Sequence, residues 1–485
     1  MRFHTVLLAL ALLVYGLTAV MSSGYYHGDE HYQIIEFAGI LDGSNAPEDL
    51  SWEFHQRMRP SLQPVIAHLL FSAGALLGVN DPYSKAMVLR LLTALLSVVT
   101  IFHFAHAFRA SFSLHYWRWL LVLSYFLWFI PFLSVRFSSE TWAGIFLVGG
   151  VTLVLGNQRH HRAYALMGAL LGLSFLCRYQ VAFSVLGLAL WLVLVRKESW
   201  KRLATAALSF LLILLAGVAL DSWFYGSLTL APLHYLQTNL LKDNVLDFGT
   251  SPPYWYFFFV FRYAFFPIGV VLIAAFLVTV WKKWRHAVVW VVLPFFVGHS
   301  LIGHKELRFL FPMMHFAPFL VVAALEALAL QRWPTLPRKI GYGCLLVLLD
   351  INLLALSVAA ITPPGEARAA VTQTIHRLKD CQKLEVIHEA GYNPYAPWGK
   401  TAQFYREGNA RFISTEAVEL STQVDATTQR VLVFRSGRKK DPKVQRIIHE
   451  LRLQKVGQGV PELSLPFLHL YGRKTSDVLV VYSDR

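Results

Sequence analysis

The chain has 485 residues, 55% of them hydrophobic and 15% charged, with a mean hydropathy of +0.47 and a net charge of +15. Soluble domains carry about 25% charged residues, so this composition excludes an ordinary soluble protein and points to an integral membrane one. The surplus Lys and Arg fall in short loops between apolar segments and not along one amphipathic face, so they read as topology determinants and no nucleic-acid partner is expected.

A membrane-spanning helix needs about 20 mostly apolar residues, because lipid offers no partner for free backbone groups. In chain order the sequence predicts about eleven crossings. They are Phe3 to Met21, Tyr83 to Phe108, Trp117 to Leu133, Phe137 to Gly156, Ala163 to Arg178, Gln180 to Val195, Leu203 to Phe224, Tyr254 to Trp281, His286 to Gly303, Leu307 to Leu330 and Gly341 to Ile361. Leu62 to Val79 is apolar as well, but counting it would invert everything downstream. With that segment interfacial or re-entrant, Arg2, Arg109, Arg118, Arg159, Arg162, the Arg196 to Arg202 run, Lys282 to Arg285 and Arg332 to Lys339 all face the cytoplasm, as the positive-inside rule asks. The first outer loop, 22–82, the loops at Tyr225 to Pro253 and His304 to Arg308, and everything after Ile361 then face outward. The first segment also has the outline of a cleaved signal peptide, although its apolar run is long for one. Either way the residues that follow it end outside.

A charge at the centre of a spanning helix costs about 2.5 to 3.5 kcal/mol, so its position is informative. Arg90, Glu140, Arg178, Asp221 and Arg262 fall towards the outer ends of their spans, which fits a polar cavity opening outward or simple snorkelling to water. After Pro363-Pro364-Gly365 the composition becomes that of a soluble domain. Val371, Ile375 and Leu378 have helical spacing, as do Val444, Ile447, Ile448 and Leu451, while Leu384 to His388, Val431 to Phe434 and Val478 to Tyr482 read as buried strands. The expected architecture is therefore mainly α: a polytopic transmembrane module over 1–362, followed by a small extracytoplasmic α/β domain over 363–485. Cys177 and Cys344 lie in apolar segments and Cys381 stands apart, so no disulfide framework is indicated. No phosphate loop, nucleotide fingerprint or internal repeat is present.

Three clusters on the outer side carry candidate chemistry. The first is His27-Gly28-Asp29-Glu30-His31-Tyr32-Gln33. A carboxylate there can take the proton of an alcohol as it attacks an electrophile, and of two adjacent acids one faces a substrate squarely while the other supports it. Acidic residues just past a helix end are also commonly only solvated. His27, Asp29, Glu30 and His31 offer N and O ligands for a divalent cation, but the His-Glu-x-x-His pattern is absent and no metal site is assigned. The second cluster, His304-Lys305-Glu306-Leu307-Arg308, sets three cationic groups where a span begins, which suits either a lipid phosphate or an interfacial anchor. The third, Asp221 to Gly226, ends a span and leads into the aromatic loop Pro252 to Tyr256, in keeping with the interfacial aromatic belt.

At these residues the chain resembles glycosyltransferase family 22 of the GT-C superfamily, the lipid-phosphate-mannose-dependent mannosyltransferases that include GPI-anchor and N-glycan enzymes. The family's His-Pro-Asp-Glu, an aromatic and Gln stand here as His27-Gly28-Asp29-Glu30-His31-Tyr32-Gln33, with glycine in place of proline. Ser51-Trp52-Glu53, Arg59-Pro60-Ser61-Leu62-Gln63-Pro64, Asp221-Ser222-Trp223-Phe224-Tyr225-Gly226 and His304-Lys305-Glu306-Leu307-Arg308-Phe309 follow in the family's order. The resemblance ends near residue 312 and leaves the soluble tail uncovered.

The resemblance implies a polyprenyl-phosphate-linked sugar donor, mannose foremost, a glycan or glycolipid acceptor, and inversion at the anomeric carbon. Asp29 would be the base, with Glu30 and His27 supporting it. His304, Lys305 and Arg308 would neutralise the departing lipid phosphate, and His31, Gln33 and Asp221 would complete the substrate-binding set. No cofactor is assigned, and a divalent cation is compatible with these residues. The competing expectations are a transporter or flippase, or a GT-C transferase using another sugar such as arabinose. Short loops favour a bacterial cytoplasmic membrane with a periplasmic site over the endoplasmic reticulum membrane facing the lumen.

Overall fold

The computed structural model describes residues 2–156, 160–241, 249–329, 334–378, 383–418 and 427–484. Arg159, Arg332 and Cys381, named above, lie outside these residues. Among the described residues five helices are long and apolar enough to cross a membrane: Phe3–Met21, Pro82–Ala107, Trp200–Phe224, Leu307–Leu328 and Thr335–Ile361. Six shorter apolar helices accompany them, namely Leu62–Leu76, Ser139–Leu155, His161–Cys177, Tyr179–Leu194, Phe266–Lys282 and Ala287–Leu301. Leu208, Leu211, Leu212 and Leu215 are exposed along Trp200–Phe224, a surface that only hydrocarbon makes stable. This is a multi-pass membrane protein.

Two of the expected spans are broken, both inside apolar runs. Trp117 to Leu133 is two helices, Leu114–Phe126 and Phe129–Ser134, with Leu127 extended between them. Tyr254 to Trp281 is likewise divided into Trp255–Tyr263 and Phe266–Lys282, with Phe265 at φ 64°. Each break frees backbone groups that lipid cannot satisfy. Asn352 closes the first: its Oδ1 accepts from the Trp128 amide at 2.9 Å and its Nδ2 donates to the Phe126 carbonyl at 2.7 Å. Trp128 Nε1 then donates to the Ala264 carbonyl at 3.4 Å, and the Trp128 and Phe265 rings meet at 4.8 Å, so the two breaks share one plug. Asn352→Leu keeps the volume and removes both bonds. It is expected to destabilise the detergent-solubilised protein by about 1–3 kcal/mol per orphaned group, read as a drop in Tm.

Close helix approach depends on glycine. A Cβ at Gly168 would sit 2.1 Å from the Ala206 carbonyl oxygen, and one at Gly187 would sit 1.9 Å from that of Trp290. Such small-residue contacts replace the hydrophobic drive that lipid cannot supply between helices.

The chain forms two compact units that do not follow chain order. The first comprises 1–16, 52–63 and 91–357, and the second 17–51, 64–90 and 358–485. The second contains a five-stranded sheet: β1 Lys383–His388, β2 Ala410–Ser414, β3 Thr428–Arg435, β4 Gln454–Gln458 and β5 Leu479–Ser483. The order is β2-β1-β3-β5-β4, with β1 parallel to β2 and β3 and with β5 antiparallel to β3 and β4. Helix Arg368–Leu378 packs Val371 and Ile375 on Leu384, Val386, Val431 and Val481. Helix Pro442–Glu450 covers the other face, with Val444 and Ile447 on Leu432, Phe434 and Val480. A sheet buried on both faces needs unbroken apolar strands, which is why β1, β3 and β5 stand out in the sequence and the polar edge strands β2 and β4 do not.

Candidate active site

The acid cluster lies in the second unit, directly after the first long helix. His27 is extended and caps the turn Gly28–Glu30, its Nδ1 accepting from the Asp29 amide at 3.3 Å. The two acids diverge. Glu30 is buried and accepts from the Tyr26 amide at 3.2 Å, whereas the Asp29 side chain stays 23% exposed, 3.4 Å from His27 Nδ1.

A π-helical turn follows at His31–Ile35, where the Glu36 amide bonds the His31 carbonyl. Residues five apart lie about 140° apart around an α-helix, so only this wider winding brings the His31 and Glu36 side chains together. His31 is fully buried, its Nε2 2.6 Å from Glu36 Oε1. Asn45 Nδ2 donates to Glu36 Oε2 and to the Glu36 carbonyl, both at 2.7 Å. The imidazole stacks between Tyr25 at 4.9 Å and Tyr405 at 5.1 Å. Gln33 is buried on the same turn. His31 and Gln33 thus stand behind the acids and Asp29 is the carboxylate presented outward. Among the described residues no three His, Cys, Asp or Glu side chains gather as metal ligands, and His31 gives its Nε2 to the pair with Glu36.

The other two clusters belong to the first unit. Asp221 is buried at the end of Trp200–Phe224, its Oδ1 accepting from the Ser61 amide at 2.7 Å and the Ser61 hydroxyl at 2.6 Å. Tyr225 donates to the Arg59 carbonyl at 2.8 Å, and Arg59 lies 3.6 Å from Glu53. Two neighbouring motifs are thus tied to a third about 160 residues further along.

Around Arg308 the structure builds an ion network. Arg308 grips Glu306 through Nε at 2.6 Å and Nη2 at 3.1 Å, and its Nη1 lies 3.4 Å from Glu140. Glu140 also pairs with Arg178 at 2.8 Å, and the Phe309 ring sits under both guanidinium groups, at 5.0 Å and 5.3 Å. His304 places Nε2 3.0 Å from Glu306 and Nδ1 3.2 Å from the Gly249 carbonyl. Lys305 donates to the carbonyls of Ser251 at 2.8 Å and Ile302 at 2.6 Å, and burial lowers its pKa below the usual lysine value. Arg178, Lys305 and Arg308 set against Glu140 and Glu306 leave one positive charge in surplus, suited to an anion.

Sequence reasoning missed Glu36, Asn45 and Tyr405 as parts of the site, and saw Glu140 and Arg178 only as charges near helix ends. The one available signal was the five-residue separation of His31 and Glu36, which helical periodicity does not pair.

The fold of this polytopic helical chain with its small α/β sheet is of the GT-C class. ArnT from Cupriavidus metallidurans bound to undecaprenyl phosphate matches over 100% of this chain and 98% of its own, with TM-score 0.55 at 12% identity. Mycobacterial arabinofuranosyltransferase AftD matches over 99% of this chain and 40% of its own, with TM-score 0.51 at 17% identity. Residues 7–391 match the Alg9-like mannosyltransferase family, and the chain belongs to it. GPI mannosyltransferase 3 of Yarrowia lipolytica is 26% identical over 68% of this chain and 64% of its own length. Mannosyltransferase APTG1 of Arabidopsis thaliana is 24% identical over 62% of this chain and 55% of its own. The chain thus spans somewhat over half of the length of these relatives.

Proposed function

We propose that this protein is an inverting mannosyltransferase that moves mannose from a polyprenyl-phosphate donor to a hydroxyl of a glycan or glycolipid on the extracytoplasmic face of the membrane. The observation that carries this reading is the sorting of the acids after the first helix: Glu30 and Glu36 are buried and hydrogen-bonded, and Asp29 alone of the three is turned outward. Family membership supports the sugar, and polyprenyl phosphate bound to ArnT supports the donor class.

In this reading the acceptor oxygen attacks the anomeric carbon, its proton passes to Asp29, and the bond from that carbon to the phosphate oxygen breaks. His27 holds the Asp29 turn and Glu30 its inner side. Within the first unit Arg308, Lys305 and His304 supply positive charge of the kind a departing phosphate needs, a preorganised field that counts for most where water is scarce. One displacement inverts the centre and needs no protein nucleophile. Asp221 and Gln33 act on substrate through the segments they fix. The 363–485 domain faces the same side as Asp29, in a bacterial cytoplasmic membrane or that of the endoplasmic reticulum.

The test is reconstitution of the full chain in liposomes with radiolabelled polyprenyl-phosphate mannose, with mass spectrometry of the lipid and glycan products. A hexose added to an acceptor supports the reading. An intact donor together with solute flux across the vesicle would replace it with a transporter.

A further inference from the structure

The family match stops at residue 391, yet the connection between β1 and β2 beyond it holds the acid segment within the second unit. Lys400 Nζ donates to the Leu50 carbonyl at 2.6 Å, and the Tyr32 hydroxyl donates to the Lys400 carbonyl at 2.8 Å. The Phe404 amide donates to Glu36 Oε1 at 3.2 Å, the same oxygen that His31 uses. Tyr405, 4% exposed, lies nearly parallel to His31, with 9° between the rings, and stacks its ring on Tyr83 at 4.8 Å. His31 Nδ1 is buried with no hydrogen-bond partner among the described residues. One bond to Glu36 cannot by itself fix a planar ring, so the flanking aromatic faces set its plane.

We propose that Tyr405, with the Phe404 amide, is a positioning residue for the Asp29 turn: it clamps His31 and Glu36, which set the path of the chain two residues after the base. The proposal rests on the catalytic reading above and assigns the tail a part in the reaction. A loss of the Tyr405 ring leaves a void beside His31, frees the imidazole to rotate and loosens the π turn that carries Asp29. Rates are sensitive to this, since a misplacement of about 1 Å can cost about 100-fold.

The experiment compares the full-length wild type with Tyr405→Ala and Tyr405→Phe, reading transfer kinetics and hydrogen exchange of residues 27–38. Tyr405→Ala is expected to lower kcat about tenfold or more with the donor KM within about twofold, through displaced geometry and not lost binding. Exchange over 27–38 rises while β3 and β5 stay protected, and Tyr405→Phe, which keeps the ring, recovers most of both readouts. Should Tyr405→Ala fail to fold, Tyr405→Leu keeps most of the volume without the flat face and is read in the same way. Wild-type exchange over 27–38 in the non-aromatic variant, or a Tyr405→Phe as impaired as it, overturns the clamp. Full turnover in Asp29→Asn overturns the catalytic reading instead, so the two failures are distinguishable.

Discussion

Asp29→Asn is expected to lower kcat at least about 100-fold while leaving the protein folded and the donor KM little changed, because general base catalysis contributes about 10²- to 10⁴-fold. Asparagine is nearly isosteric and preserves the backbone bond to His27, but it cannot accept a proton. The side chain is 23% exposed and the replacement nearly isosteric, so stability should change much less than rate. Glu30→Gln is the informative companion. Its carboxylate is buried and accepts from the Tyr26 amide, so its loss falls on stability as well as rate. Transfer from a polyprenyl-phosphate donor in liposomes, measured beside Tm for each variant, separates the two. Wild-type turnover in Asp29→Asn would remove Asp29 from the role of base.

Arg308→Ala is expected to weaken donor use far more than acceptor use. Loss of one positive group aimed at a developing oxyanion costs about 10²- to 10³-fold in kcat. Here a structural cost is added, because the buried Glu140 and the half-buried Glu306 each lose one partner, although Glu140 keeps Arg178 and Glu306 keeps His304. Arg308→Lys separates these effects. It keeps the charge but not the two-point grip on Glu306, so it should recover most of the stability and only part of the rate. The measurement is kcat and KM for each substrate in turn, with a thermal midpoint for each variant. A raised acceptor KM with normal donor use would contradict the phosphate assignment.

The membrane character, nearly every span and the three central strands were legible along the chain, because burial in lipid or between two helical layers forces long apolar runs of a definite period. The same uniformity concealed the breaks at Leu127 and Phe265: Pro267 marks only the start of the helix after the second, and Asn352, which closes the first, lies 224 residues beyond Trp128. The charged clusters were legible as residue types at membrane edges, but the division of labour within them was not. Glu30 and Asp29 are neighbours with the same chemistry, and only the turn capped by His27 decides which of them is buried.

By itself, then, the sequence determined what the chain is made to dissolve in, which family motifs it carries and that acid and cationic clusters exist. Tertiary structure decided that His31 faces Glu36 through a π turn, that Ser61 ties Asp221, and that Arg308 joins Glu140 to Glu306. The reason is range. Hydropathy and periodicity are properties of neighbouring residues and survive in the linear string, whereas hydrogen bonds and ion pairs between distant segments exist only once helix packing has brought their partners within about 3 Å.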